Sequence, residues 1–372
     1  MMGIPLLELD TPAMLVDLDR LEANLRSMQE KANLAGVKMR PHIKTHRTPA
    51  IARLQVAMGA RGITAAKLGE AEVMAEAGLD DIFIANEIVG SIKLERLRKL
   101  KRKLKSLAVG VDHPEQVAAY SGMFAAEPAP LDVMIDVETG SPRTGVLPGK
   151  PALDLAQFVC RMPGLRLRGI FTHDGHSYGA PSVEAARGIS RESQEKMIET
   201  ALLLRAEGIG VEEVSIGSTP SLLLGGIERG VTEIRPGNYA FLDANMAQFL
   251  GTTSQCAQTV LAMVISRPTP ERVVLDAGTK TLNEGVQKGG MTRAEGHGRL
   301  KEQPDIFLGR IYEEHASFNI PEGRGLEFRI GQKLEIIPNH ACQTTNFYEV
   351  IHGIRNGRVE TIWPVSCRGK SQ

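Results

Sequence analysis

Apolar and polar positions along this chain repeat in two different periods. Between about residues 37 and 239, short apolar or β-branched runs are each followed by a longer stretch in which apolar residues recur every three or four positions. The first pattern has the period of a strand and the second that of an amphipathic helix. The short runs predict strands at 37–44, 62–67, 82–87, 107–111, 131–138, 165–173, 213–218 and 233–239. Between them the spacing predicts helices at 49–58, 68–77, 92–100, 114–123, 151–160, 183–207 and 221–229, with an earlier helix at 18–35. Eight strands alternating with helices over about 200 residues fit a closed (β/α)8 barrel. An open doubly wound sheet needs fewer strands and a glycine fingerprint after the first, and the chain has no such fingerprint.

After about Gly251 the rhythm changes. "TVLAMVISRP", "ERVVLDAG", "GRIYEEHASF", "QKLEIIPNHACQTTNFYEVIHGI" and "RVETIWPVS" read as strands with no long helical period between them, and Asn356-Gly357 signals a two-residue hairpin turn. The fold class is therefore α/β: a (β/α)8 barrel over residues 1–250 and a C-terminal all-β domain over 251–372. The early run 13–19 is open to either part, so residues before about 20 are left free to join the β-domain.

Composition narrows the function. A chain of 372 residues, 42% hydrophobic and 24% charged, builds ordinary globular cores. Lysine plus arginine equals aspartate plus glutamate, and that balance argues against nucleic acid as a partner. The basic run 96–105 has the spacing of a solvated helix face. Cys160, Cys256, Cys342 and Cys367 show no disulfide spacing, as expected in a reducing compartment. No basic-then-apolar leader opens the chain and no apolar run is long enough to span a bilayer. The expectation is a cytoplasmic protein with no membrane partner.

In such barrels chemistry sits at the C-terminal ends of the strands. Lys44 ends the first, in "RPHIKTHRT"; Arg143 follows the fifth; His173 ends the sixth, in "GIFTHDGHSYG". "SIGSTPS" ends the seventh, with Gly217, Ser218, Thr219 and a proline suited to a helix start, and "RPGNYAFLD" ends the eighth, with Gly237, Asn238 and Tyr239. Loops after strands seven and eight form the usual phosphate site of these barrels, and either loop alone would also serve as an ordinary capped turn. A phosphate cup facing a lysine at the end of strand one points to pyridoxal phosphate, with Lys44 as the attachment point. The alternative for Lys44 is an ordinary solvated lysine.

His340 and Cys342 stand two apart in "PNHAC". In an extended segment they face the same side, and imidazole plus thiolate suit Zn²⁺ with coordination positions left open. A half-buried histidine beside an unrelated free cysteine is the plainer alternative. His315, in "YEEHASF", is a candidate acid/base or a polar loop residue, and Lys280 and Asp276, in "LDAGTK", are weaker candidates.

Together, "TPAMLVDLDRLEANL", "RPHIKTHRT", "GARGITAAKLGEAE", "SIGSTPS", "RPGNYAFLD", "VVLDAGTK", "EEH" and "PNHAC" resemble the D-threonine aldolase and D-serine dehydratase group of fold-type III, alanine racemase-like pyridoxal-phosphate enzymes. The resemblance runs almost end to end. It implies a barrel followed by a β-domain, usually in a head-to-tail homodimer. Lys44 would carry pyridoxal phosphate, with Gly217, Ser218, Thr219, Gly237 and Asn238 on its phosphate, Arg143 near its phenolic oxygen, and His173 and Tyr239 beside the ring or phosphate. His340 and Cys342 would hold a divalent metal (Zn or Mn, with Mg a further option) near the β-hydroxyl of a D-3-hydroxy amino acid, and His315 would be the base. Cys342 and "SIGSTP" resemble the dehydratase branch, whereas "NEIVG" and the tail "NGRVETIWPVSCRG" resemble the aldolases, and Arg235 resembles the racemases. The expected activity is a lyase, with D-threonine aldolase preferred over D-serine or D-3-hydroxyaspartate dehydratase. A racemase and a non-catalytic cofactor-binding protein come after these, because the first needs no metal and the second resembles the barrel alone.

Overall fold

The computed structural model describes residues 2–284 and 289–372. The chain forms two compact units that interleave along the sequence: Met28–Lys44, Ile51–Gly237 and Gly369–Gln372 make one, and Met1–Ser27, Thr45–Ala50 and Asn238–Arg368 the other.

The first unit is the barrel. Its eight strands, in chain order, are Lys38–Met39, Ile63–Ala65, Asp81–Glu87, Ser106–Val111, Leu131–Asp136, Leu165–Phe171, Glu213–Ile216 and Glu233–Ile234. All pair in parallel with their neighbours, and the first pairs with the last. A parallel bridge between His42 and Thr64 joins the first strand to the second and closes the ring. The intervening helices bury one apolar stripe each, as in Ser91–Lys101, where Leu94, Leu97 and Leu100 are buried at helical spacing. On that helix Arg96 pairs with Glu72, and Arg98 with Glu95 and Glu127, while Arg102 beyond its end also pairs with Glu127. Three arginines of the basic run are thus paired with acids on the outer face of the barrel.

Inside the barrel, side chains alternate by two along each strand, as the pleat requires. This produces three tiers. At the strand N-termini, Arg40 reaches Glu233 at 2.8 Å and Asp81 at 2.6 Å, Arg61 bonds Glu213, and Arg168 bonds Glu213 at 2.7 Å. Above them Phe83, Ala108, Met134 and Phe171 form an apolar layer, with Phe83 edge-on to Phe171. The third tier is the mouth.

Several predicted elements are shorter in the structure. The strands expected at 37–44 and 233–239 keep only two paired residues each, because Pro41 and Pro236 lack the N–H that would continue a ladder. The helix expected at 221–229 is Thr219–Leu224 instead. Ser218 caps it through the Ser221 N–H, Pro220 sits in its first turn, and Gly225-Gly226 end it.

The second unit is built on a nine-stranded sheet. The early strand, Ala13–Asp17, pairs antiparallel with Gln258–Ser266 and parallel with Val350–Arg355, so it belongs to this sheet. Alternation on Gln258–Ser266 turns Val260, Ala262 and Val264 toward one core and Leu261 toward a smaller one with Leu15, Ile354 and Val359. The Asn356-Gly357 turn joins Val350–Arg355 to Arg358–Pro364 with both residues at positive φ, as a primed hairpin turn requires. Lys280 lies in an exposed ion pair with Glu313 and Glu314, and Asp276 accepts hydrogen bonds from the Met263 N–H and the Thr11 hydroxyl. Both are structural. Among the described residues no helix is long and apolar enough to cross a membrane.

Candidate active site

Within the barrel unit the strand ends surround a cavity of about 240 Å³, lined by His42, Lys44, Lys67, Asn86, Glu87, Arg143, Thr144, Phe171, His173, Gly217 and Arg235 among others. The structure therefore brings Lys44, Arg143, His173 and Gly217 together, as the sequence suggested. Four of the lining side chains are cationic and one is a carboxyl. A site so unbalanced, and so small, suits a compact anionic ligand.

Each group is placed by its strand end. Lys44 follows His42, whose Nδ1 accepts from the Lys44 backbone N–H at 3.4 Å. His42 is tied to the eighth strand's exit through the Pro236 carbonyl, and Arg235 to the seventh through the Ile216 carbonyl. Burial, reinforced by Lys44 and its neighbouring cations, drives His42 and His173 well below the usual histidine range, so both imidazoles are neutral. Arg235 is buried under the cavity, with Phe83 and Phe171 within 5.7 and 5.2 Å of its guanidinium carbon. It donates to Ser215 Oγ and the Thr172 carbonyl at 2.6 Å each, and Ser215 in turn donates to Glu233. Burial pulls Arg235 down to about 10, which still leaves it charged near neutrality.

Asp112 and Asp136 hold the loop that carries Arg143. The first accepts from the Gly145 N–H at 3.0 Å and the second from the Thr144 hydroxyl at 2.7 Å. Glu87 faces the same cavity. Burial, with Asp136 and Asp112 nearby, pushes its carboxyl up to about 7, and its Oε1 has no hydrogen-bond partner.

The turn after strand seven is tightly built. A Cβ at Gly217 would lie 3.2 Å from the Arg235 carbonyl oxygen, so a small residue is favoured there. Ser218 Oγ lies 3.0 Å from Ser177 Oγ and donates to Ser221 Oγ at 3.1 Å, and Ser221 Oγ donates to Asp174. Thr219 and Gly237 are buried at the same two strand exits.

In the sheet-based unit, Asn238 and Tyr239 sit buried on a short turn, Asn238–Ala240. The Asn238 side chain donates to Asp243 at 2.7 Å. The "PNHAC" segment corrects the expectation of an extended run. Its strand ends at Ile337, His340 is the N-cap, and Cys342 lies in the helix Ala341–Thr345. Asp243 sets that turn by accepting the Ala341 N–H at 2.9 Å, and the Asn283 side chain donates to the His340 carbonyl. The argument from strand alternation therefore falls. Thr45, the residue after Lys44, has its hydroxyl 3.2 Å from Cys342 Sγ. Among the described residues no three His, Cys, Asp or Glu side chains form a closed cage, so a soft divalent ion on this imidazole and thiol would keep open positions. His315, in the sheet-based unit, is exposed on a turn closed by the Tyr312 N–H to its carbonyl.

Sequence reasoning singled out neither Glu87 nor Asp174, and left Arg235 without a role. The signal was present: Arg235 stands two after Glu233 and Glu87 two after Ala85, on the inward phase of their strands.

Residues 16–245 match the family described as "Alanine racemase, N-terminal domain", and residues 257–354 match "Putative serine dehydratase domain". The chain is 34% identical over 374 residues to a D-threonine aldolase of Arthrobacter sp., covering 100% of this chain and 96% of that protein. Its structure is similar to that of D-threonine aldolase from Filomicrobium marinum, with TM-score 0.91, 34% identity, and 99% and 98% of the two chains covered. It is also similar to D-threo-3-hydroxyaspartate dehydratase from Delftia sp. HT23, with TM-score 0.89, 30% identity, and 97% and 98% covered. Two further forms of that dehydratase carry a histidine-to-alanine and a cysteine-to-alanine change two positions apart, the second in a metal-free form.

Proposed function

Because the chain belongs to the fold-type III, alanine racemase-like family of pyridoxal-phosphate lyases, we propose that it cleaves D-3-hydroxy amino acids, as a D-threonine aldolase giving glycine and acetaldehyde. The observation that carries the reading is the cationic cavity around Lys44 at the barrel mouth. Bound there, pyridoxal phosphate supplies an electron sink for the bond broken at the substrate's Cα. Lys44 would hold it covalently, and Gly217, Ser218 and Thr219, with Gly237 and Asn238, would bind its phosphate. Arg143 would face its phenolic oxygen, and His173 and Tyr239 would flank the ring or phosphate. His340 and Cys342 would hold a divalent cation, Zn or Mn, beside the β-hydroxyl.

The chain's own groups divide the remaining work. Neutral His42 and His173 leave the positive charge of the cavity to Lys44, Lys67, Arg143 and Arg235, which favours a phosphate and a substrate carboxylate. His315 is the proposed acceptor of the hydroxyl proton. A second copy of the chain, in a head-to-tail homodimer, is the proposed partner, as the resemblance to this family implies.

One observation favours a second reading, dehydration. The His-x-Cys spacing of His340 and Cys342 is also that of the two altered positions in the dehydratase from Delftia. In that reaction Lys44 would take the Cα proton while the hydroxyl leaves. Product analysis separates the two. Purified protein with pyridoxal phosphate and Mn²⁺ or Zn²⁺ is given D-threonine and, separately, D-serine. Glycine with acetaldehyde establishes the aldolase, whereas 2-oxobutanoate or pyruvate with ammonia establishes the dehydratase.

A further inference from the structure

The turn after strand six contains an acid that no step above uses. Asp174 is buried, and its carboxyl ends a line of hydroxyls: Ser177 to Ser218, 3.0 Å; Ser218 to Ser221, 3.1 Å; Ser221 to Asp174. Its second oxygen, Oδ1, has no hydrogen-bond partner. A buried carboxylate with one bare oxygen is costly, and the neutral acid is far less so.

The line has two proton arrangements. With Asp174 ionised, the Ser221 proton points at the carboxylate and the Ser218 proton at Ser221, so both hydroxyls on the cup side present lone pairs to an incoming anion. With Asp174 protonated, its own O–H is given to Ser221, the Ser221 proton turns to Ser218 and the Ser218 proton to Ser177, which leaves the Ser177 proton at the end of the line free to donate. No covalent bond changes apart from one proton on Asp174. We propose that Asp174 is a positioning residue that sets the direction of this hydroxyl line, so that the Gly217-Ser218-Thr219 turn binds a phosphate ester when Asp174 is protonated and takes up that proton with the ligand.

Surrounding charges agree with this. Burial pushes the Asp174 carboxyl up to about 7, and the serine hydroxyls and Arg235, from the end of strand eight, oppose that rise. On its own turn His173 and His176 are both held below the usual histidine range, chiefly by burial, so neither adds a charge near neutrality. Lys196 and Glu192, on the helix Val183–Ala206, act on His176. A phosphate dianion on the turn would raise Asp174 further.

The inference rests on the reading of this turn as the cofactor's phosphate cup. The test titrates the full-length apoprotein with pyridoxal phosphate and with pyridoxal, from about pH 6 to about pH 9, following the absorbance of the Lys44-bound cofactor. The ratio of the two dissociation constants isolates the phosphate. In the wild type this ratio should weaken by up to about tenfold per pH unit above the Asp174 pKa, one proton being taken up per phosphate bound. The ester's own second ionisation, near about 6, acts with the opposite sign and is common to all variants. In Asp174→Asn, whose amide always donates to Ser221, the ratio should keep only the ester's own dependence and be flat above about pH 7. Ser221→Ala keeps the acid but removes the hydroxyl that joins it to Ser218, and it should be flat as well. A flat wild-type ratio, or one whose slope survives in both variants, overturns the proposal. A ratio near unity at every pH overturns it by removing the phosphate from this turn. If neither aldehyde ever forms the Lys44 adduct, the pyridoxal-phosphate reading itself fails, and the proposal fails with it.

Discussion

The two ends of the barrel interior use the same residue types to opposite purposes. At the strand N-termini, Arg40, Arg61, Arg166 and Arg168 are matched by Asp81, Asp132, Glu213 and Glu233. At the mouth, Lys44, Lys67, Arg143 and Arg235 share a cavity with a single lining carboxyl, and burial drives that one, Glu87, toward neutrality. Matched charges lock strands together. At the mouth cationic side chains outnumber carboxyls, which suits a ligand that carries negative charge. Arg235 belongs to the mouth but is held from below, through Ser215 and Glu233, so the structural tier also aims part of the functional one.

This contrast can be broken in graded steps. The largest effect is expected at the mouth. Lys44→Ala should abolish the absorbance of the lysine-bound cofactor and lower kcat by roughly a thousandfold or more, with an unchanged melting temperature in the apoprotein. At the opposite end, Arg40→Met takes away the cation paired with buried Glu233, while Asp81 keeps Arg61 at 3.5 Å. A loss of about 3–5 kcal/mol in urea unfolding is expected. His340→Ala or Cys342→Ala should keep the cofactor absorbance and lose metal-dependent turnover by about a hundredfold. Full activity of Cys342→Ala after chelation would remove the metal from the mechanism.

Smaller effects sharpen the comparison. A carboxyl raised in the folded state binds its proton more tightly there than in the unfolded chain. For Glu87, with 4.5 as the ordinary value and about 7 in the fold, apoprotein stability should therefore fall as pH rises through that window. Glu87→Gln should flatten this part of the stability curve, read from melting temperatures at each end of the window. The smallest effect is expected outside the barrel, at the exposed pair of Arg102 with Glu127, where Arg102→Ala should leave the melting temperature within error.

How much of this was legible in the sequence depended on the range of the interaction. The βα rhythm is local, so it located the barrel strands and most of its helices. Asn356-Gly357 is more local still, and its turn was found. The residues 37–44 and 233–239 read as full strands because apolar alternation continues past the points where Pro41 and Pro236 stop the ladder. His340 and Cys342 were noted, but a helix of five residues, Ala341–Thr345, is too short to write its own period into the sequence. The Asp243 bond that fixes that helix spans nearly a hundred positions, from Asp243 to Ala341. The same holds for Asp174, whose partner Ser221 lies on another strand's exit.

The strand Ala13–Asp17 has a consequence for synthesis. It lies inside the nine-stranded sheet, between Gln258–Ser266 and Val350–Arg355. In translation it precedes every barrel strand, and both its neighbours follow the last of them. The barrel strands, all between Lys38 and Ile234, can meet as they are translated, whereas this strand must hold its apolar residues unpaired until Gln258–Ser266 and Val350–Arg355 have been made. The nascent chain therefore has an exposed β-segment to protect, and a holding chaperone acting on this protein should be found on the segment around Ala13–Asp17.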